Sequence, residues 1–253
     1  MTKINTYNET SLHKTLKQMY AKSSNGKTEQ KIGNFICDIV AKSEGVIEIQ
    51  TSNISSLRKK IEFILASDTN IKIVHPVIRN KIIETYSRDG VLLTRRKSPK
   101  KESIYSMLRQ LTGIYDLLTK NRFSLEVLEV TATEIRIKFD QKMQTQNKSR
   151  RHLKDWISKE KKLDFIHSKK TFRTKDDYLS LLPQTLSKIF TLVNLKNEIL
   201  KIDFGEDFTK ANRQDAANKC KLLLWLLEKM EIVKRTGKKD GRSILYQINL
   251  TNS

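Results

Sequence analysis

The sequence predicts an α+β protein, in which a mixed-sheet first part is followed by a mainly helical second part that closes on a β-hairpin. Three observations lead there. Between residues 9 and 78, helical periodicity and period-two strands succeed one another in the order α-β-β-β-α-β. Residues 138–162 then break the pattern, with nine Lys or Arg against three acids and little apolar periodicity before Leu153. Beyond them helix signals dominate, until two short strands flank Gly237–Gly241.

The elements follow in order. Leu12, Leu16, Met19 and Tyr20 share one side of a helix over Glu9–Ala21. Asn25-Gly26 signals a turn into the extended run Lys27–Ile32, and Gly33-Asn34 another into Phe35–Ala41. Lys42–Gly45 turns again into the strand Val46–Thr51. A helix over Ile54–Ala66 carries the stripe Leu57, Ile61, Ile64 and Leu65, and Ile71–Ile78 is a short apolar strand. Further strands are expected at Lys81–Tyr86 and Val91–Arg95, a helix at Glu102–Leu118, and a late hairpin around Phe123–Phe139. The basic stretch reads as a linker that becomes a helix near Leu153. Helices follow at Phe172–Pro183, from Ser187 to about Phe204, and at Phe208–Met230, the last with Ala216, Cys220, Leu223, Leu224 and Leu227 as its stripe. Glu231–Thr236 and Ser243–Asn249 form the closing hairpin. The domain division is therefore 1–140, a basic linker at 141–170, and 171–253.

Charge narrows the partners. Lys and Arg number 49 against 28 acids, a net charge of +21, with a pI near 9.9. Such an excess points to a polyanion, because each cation placed on a phosphate releases condensed counterions. No apolar run approaches the roughly 20 residues needed to span a bilayer. No apolar signal core opens the chain, so a cytoplasmic, nucleoid-associated bacterial protein is expected. Cys37 and Cys220 alone give no disulfide framework, and four scattered histidines offer no zinc spacing.

Two carboxylates stand out. In Val46–Thr51, Glu48 and Gln50 lie on one face and Ile47 and Ile49 on the other. Asp38 sits mid-strand in the preceding arm. A hairpin centred on Ser43-Glu44 sets Asp38 near Ile49, and a one-residue shift brings it between Glu48 and Gln50. Two buried carboxylates are costly unless paired or metal-bound. A pair of this kind suits Mg²⁺ or Mn²⁺ and phosphodiester hydrolysis. The other reading puts Asp38 in solvent at a sheet edge, with Glu48 paired to a distant Lys.

The α-β-β-β-α-β order, with Asp38 on one strand and Glu48-x-Gln50 on the next, resembles the PD-(D/E)XK nuclease superfamily of restriction enzymes and junction resolvases. The resemblance covers residues 9–78 and implies an α/β restriction-endonuclease-like core. It assigns the metal to Asp38 and Glu48. The family's water-orienting Lys falls at Gln50, which can position water but not take a proton. A further acid is expected from Glu9 or Glu29, with Glu29 better placed on the strand beside Asp38. The stretches IEIQTSNISSLRKKI, VHPV and RRKSPKK also resemble a group of bacterial proteins with a nuclease-plus-winged-helix layout.

Residues 95–101, RRKSPKK, carry five positive charges in seven residues, so Arg95, Arg96, Lys97 and Lys100 read as a clamp on a phosphate backbone or as a solvated loop. Lys14 and Lys17 on the first helix are candidates for the same backbone. Across Ser187–Leu250 the chain resembles the winged helix-turn-helix family. That resemblance places Lys210, Asn212, Arg213 and Gln214 on a recognition helix in the major groove. It places Lys238, Lys239 and Arg242 on a wing, and Trp156 and Trp225 read as core. The expected function is a metal-dependent endonuclease acting on double-stranded DNA, and homodimerisation is compatible with it. The rival is a non-catalytic DNA-binding regulator or scaffold, kept open by Gln50.

Overall fold

A computed structural model describes residues 11–143 and 153–249. Glu9, and residues 144–152 of the expected linker, lie outside the described residues. The chain begins with α1 (Ser11–Ser23), β1 (Lys27–Ile32), β2 (Phe35–Ala41) and β3 (Gly45–Ile49). A 3₁₀ turn at Ile54–Leu57 leads into α2 (Arg58–Ala66), then β4 (Ile71–Tyr86) and β5 (Leu92–Lys97). Short helical turns around α3 (Leu108–Leu111) precede β6 (Phe123–Met143) and β7 (Lys154–Phe172). The remainder is α4 (Lys175–Leu179), β8 (Ile189–Thr191), α5 (Leu192–Phe204), α6 (Lys210–Lys229), β9 (Val233–Asp240) and β10 (Ser243–Ile248).

The fold class is α+β with a mixed sheet. Seven strands form one sheet in the order β1-β2-β3-β4-β6-β7, with β5 beside β4, and three form another, β8-β10-β9. The chain divides into two compact units. One takes residues 1–51, 74–102 and 127–169, the other 52–73, 103–126 and 170–253.

In the first unit, Leu12 and Leu16 of α1 pack on Ile39 of β2, Ile47 and Ile49 of β3, Val74 of β4, and Leu128 and Val130 of β6. Each of these side chains is buried, a contribution of roughly 1.5–3 kcal/mol for each large aliphatic one. The helix keeps its polar side free because its apolar residues fall at i and i+4.

In the second unit, α5 packs against α6. Leu195, Ile199 and Leu200 of α5 are buried, as are Ala216, Cys220, Leu223, Leu224 and Leu227 of α6. Thr191 and Thr209 cap the two helices, accepting the Asn194 and Asn212 amides. Phe190 and Tyr246 stack across β8 and β10 with ring centroids 6.0 Å apart. The segment around α3 belongs to this core. Tyr105 donates its hydroxyl to the Leu181 carbonyl at 3.1 Å, and Tyr115 meets Trp225 edge-on at 5.4 Å. Trp225 thus packs as expected of a core residue, whereas Trp156 is half-buried with the Arg136 guanidinium 3.5 Å from its ring centroid.

Several expectations change. The helix foreseen from Leu153 is strand β7, held beside β6. Lysines on both of its faces hide the period-two signal; Leu163 and Ile166 pack on the core of the first unit, and the terminal Phe172 is buried against Tyr178. The late hairpin at Phe123–Phe139 is instead one 21-residue strand, β6. The two strands expected at 71–78 and 81–86 are one, β4, because exposed Arg79 and Asn80 interrupt the apolar pattern without interrupting the backbone. Residues 95–97 are strand β5 rather than a loop. The helix expected at 102–118 breaks into 3₁₀ turns around a four-residue α3, and that expected at 172–183 shortens to α4. Cys37 and Cys220 are free and buried, and burial pushes the Cys220 thiol up to about 12. No described helix is long and apolar enough to cross a membrane.

Candidate functional site

The β2–β3 hairpin is closed by Lys42, Ser43 and Glu44, with Gly45 at φ 76°. That three-residue loop, with its left-handed glycine, sets the register. Ile39 faces Ile47, Val40 faces Val46 and Ala41 faces Gly45. The register therefore sums to 86 rather than 87, and its next position sets Asp38 across from Glu48.

There the ladder changes character. The Asp38 amide donates to Glu48 Oε1 at 3.1 Å, and the Ile49 amide donates to Asp38 Oδ2 at 2.8 Å. Each strand's carboxylate takes an amide of the other strand. Beside them, β1 pairs with β2 on either side of Glu29, which has φ 56° and is not itself in the ladder. Glu29, Asp38 and Glu48 thus occupy successive positions across three strands.

Helix α1 supplies the cations. His13 Nε2 lies 3.3 Å from Asp38 Oδ2, and Lys17 Nζ lies 2.5 Å from Glu29 Oε1. Residues 13 and 17 are one helical turn apart and sit beside the buried Leu12 and Leu16, so packing of the apolar stripe aims both at the sheet. Burial alone would raise the Asp38 pKa. The hydrogen bond from His13, the Ile49 amide, and the nearby charges of His13 and Lys17 outweigh it, and Asp38 is held below the ordinary carboxylate value. Glu48 is buried.

Gln50 follows directly after β3. Its amide donates to the Val74 carbonyl at 2.9 Å, and its carbonyl accepts from His75 Nδ1 at 2.5 Å. Because a carbonyl can only accept, Nδ1 carries the proton. Burial lowers the pKa of His75 and keeps it neutral.

The structure thus sets Glu29, Asp38 and Glu48 at successive positions across β1, β2 and β3, with Gln50 two residues after Glu48. It adds His13, which the sequence reading missed and which its position one turn before Lys17 would have marked. Lys17 is buried and bound to Glu29, so it is not presented to a phosphate, while Lys14 is exposed. Among the described residues, no group of three or more His, Cys, Asp or Glu gathers in a metal-holding cluster.

The cationic candidates lie elsewhere. Arg95, Arg96 and Lys97 are exposed along β5, and Arg95 Nε meets Glu84 Oε1 at 3.1 Å. Lys100 lies 3.9 Å from Glu102. At the start of α6, Lys210, Arg213 and Gln214 are exposed. Two neighbours there hold their own turn: Arg213 Nε donates to the Phe208 carbonyl at 2.9 Å, and Asn212 Nδ2 to the Asp207 carbonyl at 2.9 Å. Gln214 Nε2 reaches Asn218 Oδ1 at 3.1 Å. Lys238, Lys239 and Arg242 are exposed on the β9–β10 hairpin. That hairpin turns at Gly241-Arg242, because β9 continues through a bulge at Gly237 to Asp240.

Comparison with known proteins gives relationship without activity. A protein of Treponema pallidum (strain Nichols), described only as "Uncharacterized protein", is 30% identical over 187 residues. The match spans 74% of this chain and 71% of that protein. No solved structure matches the chain. A family model described as "Domain of unknown function (DUF8091)" matches residues 10–173, from α1 to the end of β7, so the basic stretch is part of the shared module. With most of its length matched in this way, the chain belongs to the DUF8091 family.

Proposed function

We propose that the protein is a metal-dependent DNA endonuclease with Asp38 and Glu48 at its cleavage centre. The observation that carries this reading is the pairing of those two carboxylates across β2 and β3, with Asp38 held ionised. The order α1-β1-β2-β3-α2-β4 is that of a PD-(D/E)XK core, and it supports the same reading.

The donor set fits Mg²⁺ or Mn²⁺. Hard carboxylate oxygens suit either ion, and Mg²⁺ is ordinarily held by one or two carboxylates, with waters and substrate phosphate completing its shell. Among the described residues, both contacts of the Asp38 carboxylate fall on Oδ2, which leaves Oδ1 for a ligand. When bound, the ion polarises the scissile phosphate and lowers the pKa of the attacking water. His13 keeps Asp38 charged, Lys17 holds Glu29 beside it, and the Gln50 side chain orients a water without taking its proton.

The order β8-α5-α6-β9-β10 supports a winged helix, with Lys210, Asn212, Arg213 and Gln214 toward the major groove and Lys238, Lys239 and Arg242 on phosphates. Net charge +21 suits that partner.

Two observations favour a second reading, a DNA-binding protein without catalysis. Gln50 stands where a Lys would be, and each carboxylate closes the ladder by accepting an amide. The test is incubation with supercoiled plasmid and Mg²⁺ or Mn²⁺. The nuclease reading predicts metal-dependent nicking that Asp38→Ala or Glu48→Ala abolishes, with DNA affinity kept within a few-fold. Binding without nicking on plasmid, branched or single-stranded DNA gives the second reading.

A further inference from the structure

The β4–β5 hairpin has a composition that the cleavage centre does not explain. From Ile82 to Lys97 it is a two-stranded ribbon, with Ile82 facing Lys97, Ile83 facing Arg96, Glu84 facing Arg95, Thr85 facing Thr94 and Tyr86 facing Leu92. Every residue of β5 is exposed. Successive side chains point to opposite faces, so Thr94 and Arg96 are exposed on one face and Arg95 and Lys97 on the other, while the register shifts between Thr85 and Tyr86 and leaves Leu93 as an extra residue between Leu92 and Thr94.

The turn at residues 87–90 is polar, and an aliphatic run follows it into β5. Val91 is 61% exposed, Leu92 47% and Leu93 48%. Three consecutive exposed aliphatics on a strand edge are an aggregation hazard unless a partner takes them. The ribbon is basic: Arg88 in the turn and Arg95, Arg96 and Lys97 along β5 stand against Glu84 and Asp89. Arg95 meets Glu84, Arg88 lies over Phe139 at 5.8 Å, and Arg96 and Lys97 have no ion pair among the described residues.

An exposed aliphatic run beside the turn of a cationic ribbon matches one partner by charge and shape, a DNA duplex. The major groove admits a two-stranded β-ribbon. Aliphatic side chains also serve as wedges that partly unstack a base step, while cations hold the flanking phosphates. We infer that the β4–β5 ribbon is a DNA-wedging arm, with Arg96 and Lys97 on phosphates and Val91, Leu92 and Leu93 against a base step. The inference rests on the DNA-binding half of the proposed function and not on cleavage.

The experiment uses the full chain and duplexes carrying 2-aminopurine at successive positions, whose fluorescence rises on unstacking. Wild type should bind and raise the signal at a few adjacent positions. The V91S/L92S/L93S variant should bind with an unchanged salt slope and lose most of that rise. Arg96→Ala with Lys97→Ala should instead flatten the log–log salt slope by about 2. Thermal unfolding of each variant confirms that the fold is kept. Binding by wild type with no fluorescence rise, or a rise kept in the serine variant, overturns the wedge. A wild-type dimer that the serine variant dissociates, with DNA binding unchanged, assigns the aliphatic run to a second copy and also overturns the wedge. No duplex binding by wild type defeats the DNA reading itself and the arm with it.

Discussion

The acidic row of the first unit and the basic start of α6 in the second handle charge in opposite ways. Around Asp38, acids and cations answer one another inside the fold: His13 to Asp38, Lys17 to Glu29, and backbone amides to Asp38 and Glu48. At the start of α6 the cations Lys210 and Arg213 face outward, and Arg213 donates Nε to the Phe208 carbonyl. A charge inside a sheet must be balanced within the chain because desolvation is costly there. A charge on an exposed helix start can wait for a phosphate or a base. The first arrangement suits chemistry at a fixed point and the second suits recognition.

The largest effect should come from cutting the chain between the two. Sequence reading alone expects residues 151–253 to fold by themselves and bind duplex DNA. The second unit also contains 52–73 and 103–126, and that fragment loses the Tyr105–Leu181 bond, the Tyr115–Trp225 contact and the Ser103–Asp203 bond. A 151–253 fragment should therefore unfold without a cooperative transition near that of the full chain. Circular dichroism melting checks this, and a sharp transition at the full-chain temperature would restore the boundary near 170.

Lys17→Ala should destabilise the first unit by about 1–3 kcal/mol, below the full cost of breaking a buried pair because Glu29 keeps some solvent contact. It should leave the salt dependence of DNA binding unchanged, whereas Lys14→Ala should reduce it. Urea unfolding and binding at two salt concentrations separate the roles.

Arg213→Ala should weaken binding to a preferred site by about 1–3 kcal/mol and relax sequence preference. Loss of stability with DNA preference untouched would leave Arg213 as a brace for the α5–α6 turn alone.

The smallest effect concerns pH. His75 is buried and neutral, with its pKa below the ordinary 6.5. The unfolded chain therefore binds the proton more readily, and stability falls as pH drops below 6.5. Asp38 has the opposite charge type and its pKa lies below 3.8, so its contribution holds down to about that pH and is lost on further acidification. Unfolding midpoints from pH 7 to 5 should decline in wild type and decline less in His75→Gln.

Much of the acidic site is legible in the sequence because its strands alternate cleanly. Phe35–Ala41 appears as foreseen and β3 nearly so. The register missed by one because the loop has three residues and its Gly45 adopts positive φ, which the letters Lys-Ser-Glu-Gly do not distinguish from a four-residue turn. His13 escaped, and Lys17 was read as a phosphate contact rather than the partner of Glu29, because their partners lie across the sheet, beyond the reach of a helical pattern. Strand β7 was hidden for a different reason. Pairing with β6 holds a lysine-rich segment extended, and no local propensity records that.

The central claim is that Asp38 and Glu48 hold a metal as well as close a ladder. Calorimetric titration of Mn²⁺ into wild type, Asp38→Asn and Glu48→Gln tests it most directly. The amides still accept the Ile49 and Asp38 N–H groups, so the fold is kept while the charge is removed. The account predicts saturable binding in wild type, weakened at least about tenfold in both variants, with unfolding midpoints little changed. Equal binding by all three proteins, or none by wild type, would contradict it and leave the carboxylate pair a structural closure.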